Sequence, residues 1–385
     1  MDFEFATAHR IRFAQGALNQ AASLARDMGA KALVIVGRSE KRARPLLDLL
    51  HGAGLAPLTF HIPREPTLKL IEEGLSQARK ADIDMVIGFG GGSAIDAGKA
   101  LAALMTNPGE ILDYLEVIGA GKTIGRRPLP FMAIPTTAGT GAEVTRNAVL
   151  LSEAHQVKVS LRHPWMLPEI ALIDPRLTYS MPPEITASTG LDALTQLIEP
   201  FVCNQPNPLT DGLCREGLQR VARSLAPAFK NGNDAAARRD MALASLFGGL
   251  ALANAKLGAV HGIAGPLGGM FPAGPHGALC ARLLPGVMAA NVNALKSREP
   301  DSPILARFRE LSALLTGDSQ ASVKDGISWL GSLCATLAVA PLSAYGLTAG
   351  HIPEVVAHAQ RASSMQGNPI TLTDLELSGI LSTAL

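Results

Sequence analysis

Residues 190–200 read GLDALTQLIEP and carry an acid, Asp192, followed four residues later by an amide, Gln196. On an α-helix that spacing puts both side chains on one face, where an acid and a second donor can share a cation. The amide offers a neutral carbonyl oxygen, a harder and weaker donor than imidazole. The pair therefore leans toward oxygen-tolerant ions such as Mn²⁺, Mg²⁺ or Fe²⁺. His261 in LGAVHGIAG and His276 in AGPHGALC stand among small residues in runs that read as helices. One such histidine alone is an ordinary core residue. One acid and two histidines in the same half of the chain make a divalent-cation site possible, and the imidazoles keep Zn²⁺ and Fe²⁺ open.

A second chemistry is written in GFGGGSAIDAGKA (88–100), which follows an apolar run and opens a helix. Successive backbone N–H groups at such a turn face a phosphate, and Gly91 and Gly92 let it approach without a Cβ in the way. Ser93 stands where the last glycine of a GxGxxG turn would be, and the motif follows a later strand rather than the first. By itself the stretch also fits a plain tight turn. PTTAGTGAEVT (135–145) offers the hydroxyls of Thr136, Thr137 and Thr140 to ribose or diphosphate oxygens, or to an ST-turn that caps a helix. Two such loops after consecutive strands fit a dinucleotide held over a sheet edge. After the first strand, IVGRSEKR places Gly37, Arg38 and Ser39 where an acid would hold a ribose 2′-hydroxyl, with Lys41 and Arg42 beyond. A 2′-phosphate finds donors and positive charge there, so NADP(H) is expected to be accepted and preferred over NAD(H).

These residues need elements to position them. KALVIVG (31–37), APLTFHI, DMVIGFG (84–90), PFMAIP (130–135) and EIALIDP (169–175) read as continuous apolar strands, with helical runs over SEKRARPLLDLLHGAG and LKLIEEGLSQARKA between them. That alternation predicts a parallel, Rossmann-like sheet covered on both faces. From about 180 onward β-rich runs vanish, and TYSMPPEI introduces a helical half. The expected organisation is a dinucleotide-binding α/β domain over 1–177 and an all-α metal and substrate domain over 178–385, with the cleft between them as the default ligand site.

A chain of 385 residues suits two domains. With 34 basic and 33 acidic residues it has no field of one sign to attract nucleic acid or an anionic membrane. A small-molecule partner is expected instead. The start, MDFEFATAHRIRF, lacks the pattern of an export signal, and the most apolar stretch, 243–253, falls short of the roughly 18 residues a membrane helix needs. Cys203, Cys214, Cys280 and Cys334 show no paired spacing and read as buried thiols. A soluble cytoplasmic protein is expected.

Taken together and in order, GFGGGSAIDAGKA, PTTAGTGAEVT, the IDP at 173–175, ASTGLDALTQLIE, VHGIAGPLGG, PHGALCARLLP and the NPI at 368–370 resemble the iron-containing alcohol dehydrogenase family over nearly the whole chain. The resemblance implies the fold of that family and of dehydroquinate synthase. It also implies hydride transfer between a nicotinamide and an alcohol, aldehyde or ketone held on a divalent cation, Fe²⁺ before Zn²⁺, Mn²⁺ or Mg²⁺. Asp192, His261 and His276 fall on the family's acid, second-histidine and third-histidine ligand positions, and Gln196 replaces the first histidine. Gly265 stands where the family has a histidine near the reacting oxygen. Gly91, Gly92 and Ser93 would bind the diphosphate, with Thr136, Thr137 and Thr140 nearer the nicotinamide, and Lys158 would reach the nicotinamide ribose. A homo-oligomer, a dimer, is the family's habit. A metal-independent reductase like maleylacetate reductase, and a non-redox lyase like dehydroquinate synthase that uses NAD transiently, share the architecture, as would a nucleotide-binding relative without activity.

Overall fold

The computed structural model describes residues 2–385, and they form two compact units. One comprises Ala6–Thr137 and Gly141–Thr178. The other comprises Tyr179–Leu385 with Ala138–Thr140 and the N-terminal residues up to Phe5.

In the α/β unit, strands β1 (Arg10–Phe13), β2 (Ala32–Val36), β3 (Leu58–His61), β4 (Met85–Gly90), β5 (Phe131–Pro135) and β8 (Ile170–Ile173) form one parallel sheet. Its order is β1-β8-β5-β4-β2-β3. Strands β6 (Asn147–Ser152) and β7 (Val157–Arg162) form a separate antiparallel pair. Five helices accompany them: α1 (Ala21–Arg26), α2 (Glu40–Gly52), α3 (Leu68–Lys80), α4 (Gly92–Thr106) and α5 (Ile111–Tyr114).

The run ALVIV of β2 is buried throughout because both faces of the sheet are covered. Leu33 and Ile35 join a core with Ile71 and Leu101 of α3 and α4, while Val34 and Val36 join one with Leu24, Leu46 and Leu50 of α1 and α2. The chain runs from β2 outward to β3, then returns to β4 on the other side of β2. At such a switch point the connections leave in opposite directions and open a crevice at the carboxyl ends of the strands. Helix α4 comes close to the sheet there because it can. A Cβ on Gly98 would lie 2.6 Å from the Phe131 ring, and one on Gly88 2.9 Å from it.

The helical unit holds α6 (Pro183–Val202), α7 (Pro208–Lys230), α8 (Ala235–Asn254), α9 (Ala259–Met270), α10 (His276–Arg298), α11 (Ile304–Thr316), α12 (Val323–Thr336), α13 (Ile352–Arg361) and α14 (Asp374–Ala384). Helix α6 is its axis, with every residue from Gly190 to Val202 buried. Helix α10 is long and apolar enough to cross a membrane, and α8 with α9 would be a second such span despite a 96° bend between them. The stretch 243–253 therefore understates the longest apolar helices. In this unit Leu283, Leu284, Val287 and Leu295 of α10 are core residues.

Candidate metal and cofactor sites

A polar group on a wholly buried helix has to find a partner in the protein. On α6, Asp192, Gln196 and Glu199 are 2%, 3% and 2% exposed and share one helical face at spacings of four and three. Glu199 is accounted for. One carboxylate oxygen accepts the backbone N–H of Val260 at 2.7 Å, and the other lies 2.6 Å from His261 Nδ1. The first turn of α9 is thereby tied to α6, and Asn368 adds a bond from the Ala259 N–H at 3.0 Å. Gly258 precedes this turn because a Cβ would stand 2.9 Å from the Glu199 carboxylate and 3.0 Å from the Asn368 oxygen.

With Nδ1–H donated to Glu199, the neutral ring of His261 presents Nε2 as a lone pair. That atom lies 3.7 Å from Asp192 Oδ1, and His276 Nε2 lies 3.9 Å from the same oxygen. Both are longer than a hydrogen bond. The two imidazole rings sit 5.5 Å apart and tilted. Cys280, one turn beyond His276 on α10, has its Sγ 3.7 Å from His276 Nε2. One donor atom each from Asp192, His261, His276 and Cys280 lies within 4.8 Å of all the others.

Among the described residues five buried side-chain atoms lack a hydrogen-bond partner, and three of them are Asp192 Oδ1, Gln196 Oε1 and His261 Nε2. Each such atom costs about 1–3 kcal/mol when left unsatisfied. Asp192 Oδ1 and Gln196 Oε1 are acceptors, and His261 Nε2 adds a lone pair once its proton leaves, so the residues fit a divalent metal. Burial opposes ionisation of Asp192, yet His261, His276 and the Gln196 amide outweigh it and hold the carboxyl below its usual range. Burial likewise works against a charged His261, but Glu199 and Asp192 push its pKa up to about 10 in the metal-free protein. Gly265, one turn after His261, faces open space, with nothing within 4 Å of where its Cβ would be.

In the α/β unit, the loops after β2, β4 and β5 lie at the carboxyl ends of three adjacent strands. Gly91 is the N-cap of the 15-residue α4, and among the described residues no side chain caps that N-terminus. Its position against Thr137 is tight, since a Cβ would stand 3.3 Å from the hydroxyl. Thr136 is buried and its N–H donates to Gly90 at 2.8 Å. Arg38, Ser39 and Lys41 are exposed at the start of α2. Arg42 turns inward, donating to the carbonyls of Thr136 and Leu177 at 3.3 and 3.0 Å, and burial lowers its pKa. Lys158 on β7 is 13% exposed and pairs with Glu65 at 3.2 Å, so it is not a solvated surface lysine. Thr140 belongs to the segment that groups with the helical unit, where Gly139 leaves no room for a Cβ beside Thr189.

Sequence reasoning passed over a buried cluster within GFGGGSAIDAGKA itself. Lys99, 1% exposed, donates to Thr145 Oγ1 at 3.0 Å and the Asn147 carbonyl at 2.5 Å, and pairs with Asp96 at 3.0 Å. Asp96 in turn accepts the Val149 N–H at 3.1 Å. One lysine thus joins the helix opened by the glycine turn to the segment that follows the threonine loop. Nearby Glu143 is buried, which pushes its pKa up to about 7 against the opposing pull of a backbone N–H and Lys99.

Known proteins share this sequence pattern and fold. The sequence model for iron-containing alcohol dehydrogenase matches residues 8–175, and that for the C-terminal part of the Fe-containing alcohol dehydrogenase family matches residues 186–385. Long-chain-alcohol dehydrogenase 1 of Geobacillus thermodenitrificans is 40% identical over 281 residues, 71% of this chain and 69% of that protein. The crystal structure of a 1,3-propanediol oxidoreductase matches with a TM-score of 0.92 at 28% identity, covering 100% of both chains. Sulfoacetaldehyde reductase from Bifidobacterium kashiwanohense, solved in complex with NAD⁺, matches with a TM-score of 0.87 at 29% identity, covering 100% of this chain and 99% of that one. With both halves matched and the fold shared end to end, this chain belongs to the iron-containing alcohol dehydrogenase family and is an oxidoreductase acting on CH–OH groups.

Proposed function

We propose that Asp192, Gln196, His261 and His276 hold one catalytic divalent cation, and that the chain interconverts a small alcohol and its aldehyde or ketone with NADP(H) or NAD(H). The observation that carries this is the group of buried, unpartnered acceptors on α6 and α9. The family's name supports Fe²⁺, and the donors also suit Zn²⁺, Mn²⁺ or Mg²⁺. When bound, such a cation supplies Lewis acidity that eases deprotonation of an alcohol or polarises a carbonyl. Glu199 orients His261 by holding Nδ1–H. Gly265 carries no titratable group, so the substrate's proton leaves through solvent or a ribose hydroxyl.

The uncapped start of α4 supports diphosphate binding at Gly91, Gly92 and Ser93, with Thr136, Thr137, Thr140 and Lys158 toward the nicotinamide. Gly37, Ser39 and the exposed Arg38 and Lys41 at the start of α2 support acceptance of a 2′-phosphate, so NADP(H) is the preferred cofactor. NAD⁺ in the sulfoacetaldehyde reductase supports NAD(H) as the other. We further propose a cytoplasmic homodimer, to be tested by light scattering.

Protein purified without chelator should contain stoichiometric metal, oxidise members of an alcohol panel, and lose metal and turnover together on chelation. Full turnover in protein shown to be metal-free would instead make it a metal-independent reductase. A higher kcat/KM with NADH than with NADPH would reverse the cofactor assignment.

A further inference from the structure

Among the four cysteines, all buried, only Cys280 reaches the donor cluster. Cys334 donates to the Ala281 carbonyl, and Cys203 and Cys214 lie outside the group. Cys280 stands one turn after His276 on α10, so both side chains leave the same helical face. The separations within the cluster have a meaning of their own. Donors sharing a tetrahedral ion at about 2.0–2.2 Å for nitrogen and oxygen and about 2.3 Å for sulfur stand roughly 3.3–3.6 Å from one another. Here Asp192 Oδ1 to His261 Nε2 is 3.7 Å, Asp192 Oδ1 to His276 Nε2 is 3.9 Å, and His276 Nε2 to Cys280 Sγ is 3.7 Å. These three spacings are slightly expanded from those of donors around one ion, and every other pair in the group lies within 4.8 Å. The buried, unpartnered Asp192 Oδ1 and His261 Nε2 mark the same point independently of the sulfur.

We propose that Cys280 is itself a ligand of the cation, as a thiolate, completing a centre with Asp192, His261 and His276. This rests on the reading of the cluster as a metal centre. On binding, the S–H bond breaks, a sulfur–metal bond forms and the proton passes to the buffer. Two anionic donors then balance a divalent charge, and Gln196 becomes the weak neutral donor of the set. A thiolate selects Zn²⁺, Co²⁺ or Fe²⁺ and rejects Mg²⁺ and Mn²⁺, which narrows the range that Gln196 alone suggests.

Metal-free full-length protein titrated with Co²⁺ tests this. One equivalent should raise an intense near-ultraviolet thiolate-to-cobalt absorption that persists in Cys203→Ser and vanishes in Cys280→Ser. Zn²⁺ affinity should fall in Cys280→Ser by at least about 100-fold, since losing a direct ligand costs more than the roughly 10–100-fold of disturbing a group behind one. Stoichiometric Co²⁺ without that absorption, or binding unchanged in Cys280→Ser, overturns the thiolate and leaves the metal centre standing. No binding of Co²⁺ or Zn²⁺ by the unaltered protein overturns both. Should Cys280→Ser fail to fold, X-ray absorption on the Zn²⁺-loaded wild type decides, since a sulfur neighbour is required at about 2.3 Å.

Discussion

Two buried polar clusters of similar make-up differ in one respect. Around Lys99, the ammonium meets Asp96, Thr145 and the Asn147 carbonyl, and Asp96 has a backbone donor besides. Around Asp192, its Oδ1, the Gln196 Oε1 and the Nε2 of His261 meet no hydrogen-bond partner among the described residues. The first cluster carries its own cation. The second has no fixed cation: its positive charge is a proton on His261 that an ion from solution can replace. Burying polar groups without partners costs stability, so the second arrangement makes physical sense where something from solution supplies the missing charge. Completed clusters of this kind hold a fold together, and incomplete ones mark where a ligand belongs.

The largest expected effect tests the completed cluster. Lys99→Ala leaves Asp96 buried without its counter-ion and should destabilise the protein by about 3–5 kcal/mol in denaturant unfolding, with metal stoichiometry of the folded fraction unchanged. A stability loss below about 1 kcal/mol would show that Lys99 is not the joint between its two segments.

In the incomplete cluster the same logic predicts a strong pH dependence. His261 is held protonated up to a pKa of about 10 in the metal-free state, so a cation has to displace a proton. The proton on His261 alone should therefore make apparent metal affinity rise about tenfold per pH unit below that value, and about a hundredfold where the Cys280 thiol ionises on binding as well. The sign for stability follows from the raised pKa. The metal-free protein has the full benefit below the ordinary value of 6.5 and loses it as pH climbs through about 10. Calorimetry of metal binding across pH 6 to 9 that found a flat affinity would contradict this.

Glu199→Gln keeps the shape while weakening the hold on His261 Nδ1–H, and should cost 10–100-fold in metal affinity with the fold retained. Lys158 is the residue that could break the comparison. It has a partner in Glu65, yet it is proposed to serve the cofactor. Lys158→Ala should weaken cofactor binding by on the order of 1–3 kcal/mol. Unchanged cofactor affinity with a lowered Tm would return it to the completed, structural kind. The smallest effect belongs to Gly265→His. Nothing stands within 4 Å of the new Cβ, and replacing a helical glycine should gain about 0.5 kcal/mol or less of stability. A fall in Tm would mean that the open space is not free.

Legibility in the sequence followed the same physical lines. Strands β2, β4, β5 and β8 are continuous apolar runs because both sheet faces are covered, and they read correctly. Strand β1, RIRF, sits at the sheet edge with two charges in four residues, β7 alternates polar and apolar residues, and β6, its antiparallel partner, is a short run, NAVLLS, with only every second residue buried. None of the three carries the signal of a doubly covered strand, and all were missed. In the helical unit, Asp192, His261 and His276 stood out through motif resemblance, while Glu199 and Cys280 passed as one acid in an apolar helix and one core thiol. Glu199 finds its partner 62 residues away, which no local pattern reports. Its spacing of three from Gln196 and that of Cys280 from His276, four, were the available signals. Lys99 lies within the glycine motif, but its role is not legible there, because a lysine on an apolar helix says nothing of where its ammonium ends.

The bond from the Ala259 N–H to Asn368 spans 109 residues of chain. During synthesis the helix bearing His261 leaves the ribosome well ahead of the segment that anchors its first turn, by roughly 5 to 20 seconds at ordinary elongation rates. Glu199 and the donor cluster have by then been made, yet the Ala259 N–H still waits for its downstream clamp. A chain cut short before residue 368 should therefore carry every ligand and the Glu199 tie to His261, yet lack the clamp on the Ala259 N–H.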